Sequence, residues 1–326
     1  MRTQQIAALL TGALLLTGCG SGQIGDTGGA ATDPGNERLV LITGMRGEPF
    51  YVSMECAAEA EAVAQGYELN AQAPERFEQA EQSQILGSAI STRPGAIIIA
   101  PTDDQALAAP LRQAKNNGIQ VVEVDTALAD RSIAVSSLSS DNYAGGRLAA
   151  RTLAELTAGR PGSVLALNTK AGTSTTDARV AGFEDEIREH HPHLTLLPSQ
   201  YTDNEPATAA QVVSATLGAH PDLVGVFGSN LNTGEGAATA LANAGRSGDV
   251  PLVGFDASPK QVEDLRNGRV QALIAQDPAK IGREGVRRAI AAIKGEPVER
   301  ETKTPMIALT RDTMDEQSEF FYRARC

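Results

Sequence analysis

The sequence predicts an α/β protein made of two similar lobes, each a parallel sheet with helices on both faces. From Arg38 onward, short β-branched segments that are apolar on both faces alternate with longer amphipathic segments. This alternation is typical of buried parallel strands joined by helices. The strand series also starts again halfway along the chain, near Ser139-Ser140-Asp141. An (α/β) barrel is the competing architecture, but it requires eight evenly spaced units and gives no reason for that break.

About eleven strands are predicted, which is many for one doubly wound sheet, so two runs of about five indicate two lobes. The first run comprises residues 38–44, 67–73, 96–102, 119–125 and 133–138, the second comprises 163–169, 194–200, 223–229, 251–257 and 271–276, and a last strand comprises 305–310. Helices are predicted between them near residues 50–65, 75–90, 103–117, 141–158, 176–190, 205–219, 231–244, 259–267 and 278–294.

The N-terminus has the features of a lipoprotein signal peptide. Arg2 supplies a basic start, and an apolar run follows from Ile6 to Leu16. That run is too short to cross about 30 Å of hydrocarbon as a helix. It ends in Leu16-Thr17-Gly18-Cys19, which resembles a bacterial lipobox, so we expect residues 1–18 to be removed and Cys19 to carry lipid. An ordinary signal peptide in which the cysteine is incidental is the alternative.

Residues 19–37 are rich in Gly, Ala, Thr and Asp and have no apolar periodicity, so we expect a flexible tether. The protein is then exported and lipid-anchored at the outer face of the cell membrane, on the extracellular or periplasmic side. In an oxidising compartment the two remaining cysteines, Cys56 and Cys326, are expected to form a disulfide. Two free, separately placed thiols are the alternative.

Composition argues against several classes of protein. The 326 residues carry 28 basic and 40 acidic side chains, for a net charge of −12, which does not suit a nucleic-acid binder. The sequence contains neither a P-loop nor a dinucleotide fingerprint after the first strand, so no cofactor is expected. Three of the four histidines follow an acidic amphipathic helix, where a solvated helix end is a better interpretation than a metal site. No catalytic residues are predicted.

Polar side chains follow the predicted strands in both halves of the chain. Ligands of open α/β sheets bind beyond the carboxyl ends of the strands. Carboxylates, amides and arginine exchange hydrogen bonds with hydroxyl groups, and aromatic rings cover apolar C–H faces, so this edge suits a polyhydroxylated ligand. The residues concerned are Glu48, Phe50, Tyr51, Asp103, Asp104, Asp125, Thr126, Gly172, Thr173, Ser174, Arg179, Asp203, Asn204, Asn230, Asp256 and Gln276. An Asp or Asn at such a position is also a common helix N-cap, and two aromatic residues there also suit the core of the first helix.

Eight short motifs occur in one order between residues 49 and 282. They are PFYVS at 49–53, IIIAPTD at 97–103, VEVD at 122–125, SSDNYAGG at 139–146, AGTSTTDARVAGF at 171–183, AHPDLVGVFGSN at 219–230, VGFDASP at 253–259 and ALIAQDPAKIG at 272–282. Through these motifs the chain resembles the sugar-binding proteins of bacterial ABC importers, the ribose/galactose type of periplasmic binding protein (type I).

The resemblance implies two Rossmann-like lobes joined by a three-strand hinge, which close around one small sugar or polyol and deliver it to a membrane permease. It places residues 38–140 plus 277–308 in the N-terminal lobe and 141–276 plus 309–326 in the C-terminal lobe, in a monomer. The positions that match the family's ligand contacts are Phe50, Tyr51, Asp125, Arg179, Asn230, Asp256 and Gln276. The same fold acting as a sugar sensor for signalling is one alternative, and a secreted hydrolase is another.

Four positions depart from the ribose-binding pattern. Glu48 and Ala100 each stand where that pattern has Asn, Thr126 replaces an Arg, and Asn204 replaces a stacking Phe. The cleft is therefore expected to be less positive than a ribose site. A different sugar, a polyol or an amino-bearing ligand fits that change, and we expect Glu48 and Asn204 to contribute to binding.

Overall fold

Thirteen strands and nine α-helices alternate through residues 37–326, the part of the chain that the computed structural model describes. The predicted signal peptide, Cys19 and the predicted tether up to residue 36 lie outside the described residues. Within residues 37–326, none of the helices has both the length and the apolar content that crossing a bilayer requires.

The first half of the described chain is a regular alternation of strands and helices. Its elements are β1 (Arg38–Ile42), α1 (Pro49–Ala64), β2 (Glu68–Gln72), α2 (Gln79–Ser91), β3 (Ala96–Ile99), α3 (Ala108–Asn116), β4 (Gln120–Val124) and β5 (Ser136–Ser140). The alternation then starts again with α4 (Asn142–Leu156), β6 (Gly162–Asn168), α5 (Ser174–His190), β7 (Leu194–Leu196), β8 (Gln200–Tyr201), α6 (Pro206–Ala219), β9 (Leu223–Gly228), α7 (Leu231–Asn243), β10 (Leu252–Phe255), α8 (Pro259–Arg266), β11 (Ala272–Ala275), α9 (Pro278–Ile293), β12 (Glu301–Thr304) and β13 (Ile307–Thr310). A short 3-10 helix (Ser318–Phe320) lies near the C-terminus.

The strands form two sheets with corresponding strand orders. The first sheet runs β2-β1-β3-β4-β5-β12 and is parallel throughout. The second runs β7-β6-β9-β10-β11-β13, with β8 also paired to β6 and with β13 antiparallel to β11. Two separate open sheets confirm the predicted two-lobed α/β fold and exclude the barrel. We call the lobes built on these sheets the first and second lobe.

Local sequence signals explain where the elements lie. Strands β3, β10 and β11 are buried at every residue, as expected for inner strands of sheets covered on both faces. Proline occupies the first turn of α1, α6, α8 and α9. Backbone N–H groups there have no partner within the helix, so the absence of an N–H on proline costs no helical hydrogen bond. Helix α8 also begins with a capping box, in which Ser258 and Gln261 bond each other's backbone N–H groups.

The chain passes between the lobes three times: at Asp141 between β5 and α4, at 276–277 between β11 and α9, and at 305–306 between β12 and β13. The predicted lobe boundary at residue 308 therefore falls inside β13, a strand that belongs wholly to the second sheet. Three neighbouring crossings allow the two lobes to hinge while their sheets stay intact.

Two strands differ from the sequence prediction. Strand β12 was missed because its sequence, ETKT, is polar and half-exposed, as edge strands are. The predicted strand 194–200 is broken into β7 and β8. Pro198 lies between them, and proline cannot donate to a sheet ladder.

The C-terminal tail leaves the second sheet and returns to the first lobe. Cys326 is joined to Cys56 of α1 by a disulfide, with the two Cα atoms 5.4 Å apart. The N–H of Arg323 also donates to Ser53 Oγ of the same helix, at 2.7 Å. The end of the segment 309–326, which was predicted to lie in the second lobe, is thus attached to the first.

Helices α4 and α5 cross closely because each has a glycine at the contact. A Cβ atom added at Gly146 would collide with the carbonyl oxygen of Arg179, and one added at Gly182 would collide with that of Tyr143. Because Arg179 is a candidate ligand-binding residue, this crossing fixes a part of the backbone that the site depends on.

We predict that Gly146→Ala destabilises the protein by about 1–3 kcal/mol, the usual cost of overpacking a core contact. The colliding atoms belong to the backbone and cannot rotate away. Urea unfolding followed by circular dichroism measures the free energy of unfolding.

Gly87→Ala is the matched control. Gly87 lies inside helix α2, and a Cβ there would meet no atom within 4 Å. This change should be neutral or stabilising by up to about 1 kcal/mol, because alanine is the better helix former. Equal effects of the two substitutions would contradict the packing explanation.

Candidate functional site

One cleft between the lobes collects most of the strand-end residues that the sequence singled out. Its atom-free space, including solvent at the mouth, is about 490 Å³. All nine predicted binding residues line it, namely Glu48, Phe50, Tyr51, Asp125, Arg179, Asn204, Asn230, Asp256 and Gln276. The cleft lies beyond the carboxyl ends of both sheets, as the fold class predicts.

Aromatic side chains form part of the first-lobe wall. Phe50 and Tyr51 open helix α1 and meet edge to face, with ring centroids 5.2 Å apart. A Cβ atom at Gly44 would collide with the Tyr51 hydroxyl and lie 2.8 Å from the ring of Phe77, so a residue without a side chain leaves room for both rings. Phe50 and Tyr51 are only 3% exposed, so they pack in the core and also line the cleft.

Asp125 ends strand β4 and faces the cleft with a buried carboxylate. Its Oδ2 accepts a hydrogen bond from the Tyr51 hydroxyl at 2.9 Å, while Oδ1 has no protein partner among the described residues. Burial raises the pKa of Asp125 to about 6, against the opposing effects of the Arg179 charge and the Tyr51 hydrogen bond. The free oxygen is therefore available to a ligand hydroxyl.

Glu48 precedes helix α1 and shares the cleft with two other carboxylates. Its side chain does not cap the helix and has no hydrogen-bond partner among residues 37–326. Burial, reinforced by the nearby charges of Asp256 and Asp125, raises its pKa to about 8, although Arg179 acts in the opposite direction. At neutral pH Glu48 is thus mainly an uncharged acid that can both donate and accept a hydrogen bond.

Arg179 of helix α5 presents its guanidinium from the second lobe. Nε donates to Asn142 Oδ1 at 2.8 Å, and Nη1 donates to the carbonyl oxygen of Ser229 at 2.9 Å. The guanidinium carbon lies 3.8 Å from the ring centroid of Phe255. No carboxylate of the described residues forms an ion pair with it, so neutral partners hold its orientation and leave its charge for a ligand.

Asp256 and Gln276 form one hydrogen-bonded unit at the junction of the lobes. Gln276 Nε2 donates to Asp256 Oδ1 at 2.6 Å, and Ser140 Oγ donates to Gln276 Oε1 at 2.7 Å. The other oxygen of Asp256 accepts the N–H of Leu231 at 3.0 Å, and Oδ1 also accepts the Tyr322 hydroxyl at 3.2 Å. Ser140 and Gln276 flank two of the three crossings, so this unit couples the hinge to the cleft.

Asn230 is both a helix N-cap and a cleft residue, the two roles that a polar residue after a strand can have. It lines the cleft, and its Oδ1 caps helix α7 by accepting the N–H of Thr233 at 3.0 Å. Its Nδ2 donates to Asn204 Oδ1 at 2.7 Å, and the amide of Asn232 donates to the same oxygen at 3.2 Å. Because this oxygen already accepts two hydrogen bonds, Asn204 has its Nδ2 group available to donate into the cleft.

Three of the site residues have left-handed backbone. The φ angles are 63° at Asp125, 59° at Asn204 and 80° at Asp256. Asp and Asn tolerate this region better than other non-glycine residues. Such strain tends to collect at functional sites, where the surrounding structure holds it in place.

Several lining residues were not predicted as contacts. They are Phe77, Thr126, Thr169, Lys170, Thr173, Thr175 and Thr176. Thr126 and Thr173 stand at strand ends that the sequence pointed to, but they were not predicted as contacts. Thr175 and Thr176 lie in the first turn of helix α5. Phe77 lies in the loop between β2 and α2, and no sequence pattern points to it.

Other candidates take structural roles. Ala100 is fully buried, and its carbonyl oxygen accepts a bond from Gln82. Asp103 caps a turn that precedes α3 rather than the helix itself, because its carboxylate accepts the N–H groups of Gln105 and Ala106 while the helix begins at Ala108. Among residues 37–326, no cluster of His, Cys, Asp and Glu has the arrangement of a metal site.

Two contacts join the lobes at the mouth of the cleft. Lys170 Nζ lies 2.8 Å from Glu78 Oε1, and the N–H of Ala127 lies 3.4 Å from Ser174 Oγ. In each pair one partner belongs to the first lobe and the other to the second. The described arrangement is therefore a closed one.

Two similar α/β lobes around a polar, aromatic-walled cleft define a two-lobed solute-binding protein. The sequence matches the family described as periplasmic binding protein domain over residues 39–297. It is 33% identical to the ribose import binding protein of Escherichia coli over 81% of this chain and 87% of that protein. It is 30% identical to the D-ribose/D-allose-binding protein of Pseudomonas aeruginosa over 92% of this chain and 97% of that one.

A solved structure shares the fold. It is an ABC transporter solute-binding protein from Agrobacterium vitis bound with α-D-tagatopyranose, and it is 36% identical to this chain with a TM-score of 0.85. The superposition covers 88% of this chain and 99% of that one. The chain belongs to the periplasmic binding protein family, as its motifs predicted.

We predict that Glu48→Gln removes a pH dependence from the stability of the ligand-free protein. Between about pH 4.5 and 8 the unfolded chain has released this proton and the folded protein retains it, so the wild-type free energy of unfolding falls as the pH rises through that window. Thermal unfolding from pH 4.5 to 9 should therefore show the variant gaining stability over the wild type with rising pH.

Glu59→Gln controls for the loss of one acidic group, since Glu59 is exposed on the same helix. Its curve should stay parallel to that of the wild type. A parallel curve for Glu48→Gln as well would show that Glu48 ionises normally.

Proposed function

We propose that this protein captures a small neutral sugar or polyol in the cleft and delivers it to the permease of an ABC importer. The observation that carries the proposal is the meeting of hydroxyl-binding groups from both lobes, with aromatic rings beside them, in one cleft. The relatives named for ribose or allose binding, and the Agrobacterium vitis protein with its bound tagatopyranose, support a monosaccharide ligand.

The recognition chemistry follows from the atoms left unpaired. Asp125 Oδ1 accepts a ligand hydroxyl from the first lobe, while Arg179 donates from the second. Glu48 is uncharged near neutral pH, so its carboxyl group can donate a hydrogen bond to another ligand hydroxyl and also accept one. Phe50, Tyr51 and Phe77 cover the apolar C–H face of the sugar ring.

The charges at the cleft disfavour an anionic ligand. Asp125, Asp256 and the largely uncharged Glu48 line it together with two cations, Arg179 and Lys170. Lys170 is already paired with Glu78, so only Arg179 is left to match a negative charge on a ligand. A phosphate or carboxylate on the ligand would face this acidic wall after losing its water, which costs several kcal/mol when no matching charge is added. A neutral polyhydroxylated ligand carries no such penalty.

Delivery depends on closure of the lobes. Hinge closure around a ligand is the established motion of periplasmic binding proteins, and the three crossings give this chain the means. The Lys170–Glu78 ion pair and the Ala127–Ser174 contact form only when the lobes are closed. They add to the preference for the closed, ligand-bound state, which a permease then distinguishes from the open one.

The binding role needs no chemical step. We propose that the ligand leaves unchanged and that the protein acts as a monomer, exported and held at the membrane by lipid on Cys19 after cleavage following residue 18. The lipobox-like sequence Leu16-Thr17-Gly18-Cys19 supports the anchor.

We predict that Asp125→Asn weakens binding of the preferred monosaccharide by about 10- to 100-fold, because a hydrogen bond to a charged, buried group contributes about 1.5–3 kcal/mol. A thermal-shift panel of D-ribose, D-allose, D-tagatose, polyols and D-glucosamine first identifies that ligand. Calorimetry then gives Kd for each variant, and mass spectrometry of the released ligand tests for turnover.

Asp312→Asn is the matched control, because Asp312 is exposed and far along the chain from the cleft residues. Its Kd should equal that of the wild type. If no member of the panel shifts the melting temperature, or if the released sugar is chemically altered, the proposed function is wrong.

We predict that Cys19→Ala releases the protein from the membrane, because the thiol is the lipidation site. When cells that express the full chain are fractionated, the wild type should be found in the membrane pellet and the Cys19→Ala variant in the soluble fraction. Intact-mass analysis of the wild type should show added acyl chains, and an unmodified wild type would contradict the anchor.

A further inference from the structure

The last residues of the chain bridge the two lobes at the hinge. We call residues 318–326 the C-terminal strap. The N–H of Tyr322 donates to the carbonyl oxygen of Ala257 in the second lobe at 2.9 Å. The next residue, Arg323, donates its N–H to Ser53 Oγ in the first lobe at 2.7 Å. Cys326 then joins the strap covalently to Cys56 of helix α1.

Tyr322 touches the binding residues from behind the cleft. It does not line the cleft, and it is 4% exposed. Its ring meets that of Phe50 edge-on, with centroids 5.8 Å apart. Its hydroxyl accepts the N–H of Gln276 at 3.1 Å and donates to Asp256 Oδ1 at 3.2 Å. One side chain of the strap thus contacts three residues that do line the cleft.

We infer that Tyr322 is a positioning residue of the binding cleft and that the Cys56–Cys326 disulfide holds it in place. This inference rests on the proposed function of the cleft. Without the Tyr322 hydroxyl, the N–H of Gln276 loses its acceptor and Asp256 loses a donor, both in a buried setting where unpaired groups are costly. Asp256 and Gln276 then have more than one arrangement available, and their alignment with a ligand is lost.

The disulfide is needed because the strap has little secondary structure of its own. Apart from the 3-10 helix (Ser318–Phe320), residues 311–326 contain only turns and irregular backbone. A segment with so little secondary structure opens locally unless it is tied down. The covalent bond from Cys326 to helix α1 keeps the strap against that helix even when its hydrogen bonds open. The same helix carries Phe50 and Tyr51.

The test begins with Tyr322→Phe, which keeps the ring and its packing against Phe50. The Kd of the preferred monosaccharide should rise about tenfold, as expected for one lost hydrogen bond. In the ligand-free protein, the Gln276 amide hydrogen should exchange faster with deuterated water, because its acceptor is gone. Tyr201→Phe is the control, since Tyr201 is 51% exposed, and neither measurement should change.

The second arm opens the disulfide. A dithiol such as dithiothreitol supplies two electrons and two protons, so that Cys56 and Cys326 become thiols while the reagent becomes a cyclic disulfide. The double variant Cys56→Ser, Cys326→Ser gives the same open state without reductant. Both should weaken binding and speed exchange at Gln276. Adding Tyr322→Phe to the double variant should change little further, because both changes act through the same contact.

The two measurements separate this inference from the proposed function. If no sugar binds the wild type, the proposed function fails, and exchange at Gln276 still decides whether the strap orders the cleft. If Tyr322→Phe and the disulfide-free protein both keep wild-type affinity and wild-type exchange at Gln276, the inference is wrong.

Discussion

The site depends on a geometric constraint: parallel strands all end at the same edge of their sheet. Because the two sheets have corresponding strand orders and three neighbouring crossings, both carboxyl edges face one cleft. Every strand end there leaves backbone and side-chain polar groups that must find partners. The protein satisfies most of them internally, for example through the Asn230 cap and the Asp256 carboxylate that accepts the N–H of Leu231, and leaves a few, at Asp125 and Arg179, for a ligand.

Burial then determines how the charged groups behave. Arg179 is oriented by an amide oxygen, a carbonyl and an aromatic ring rather than by a carboxylate, so its charge is not neutralised before a ligand arrives. On the opposite wall, loss of water raises the pKa values of Glu48 and Asp125. Proton uptake at Glu48 relieves repulsion among the three carboxyl groups, which explains how an acidic cleft remains compatible with a closed, folded state.

At several positions the sequence left a structural role and a binding role as alternatives, and the structure is compatible with both. Asn230 is a helix cap and a lining residue, and Phe50 is a core residue that also faces the cleft. A strand-end position imposes both roles, because the same side chain lies at the top of the core and at the floor of the cleft. The edge strand β12 escaped prediction, since exposed edges lack the apolar pattern that identifies buried strands. The strand predicted at 194–200 is divided in two at Pro198, which cannot donate to a sheet ladder.

The sequence by itself determined the class of fold, the strand-end positions of the cleft residues and the cysteines available to pair, because buried strands and strand-end polar groups leave local patterns. The family resemblance selected the nine predicted binding residues among those positions. Only the tertiary structure decided how those residues are partnered. Tyr322 lies 46 residues after Gln276 in the chain and 66 after Asp256, and no local pattern encodes a contact of that range. Packing of the two lobes, closed by the strap, brings these groups together.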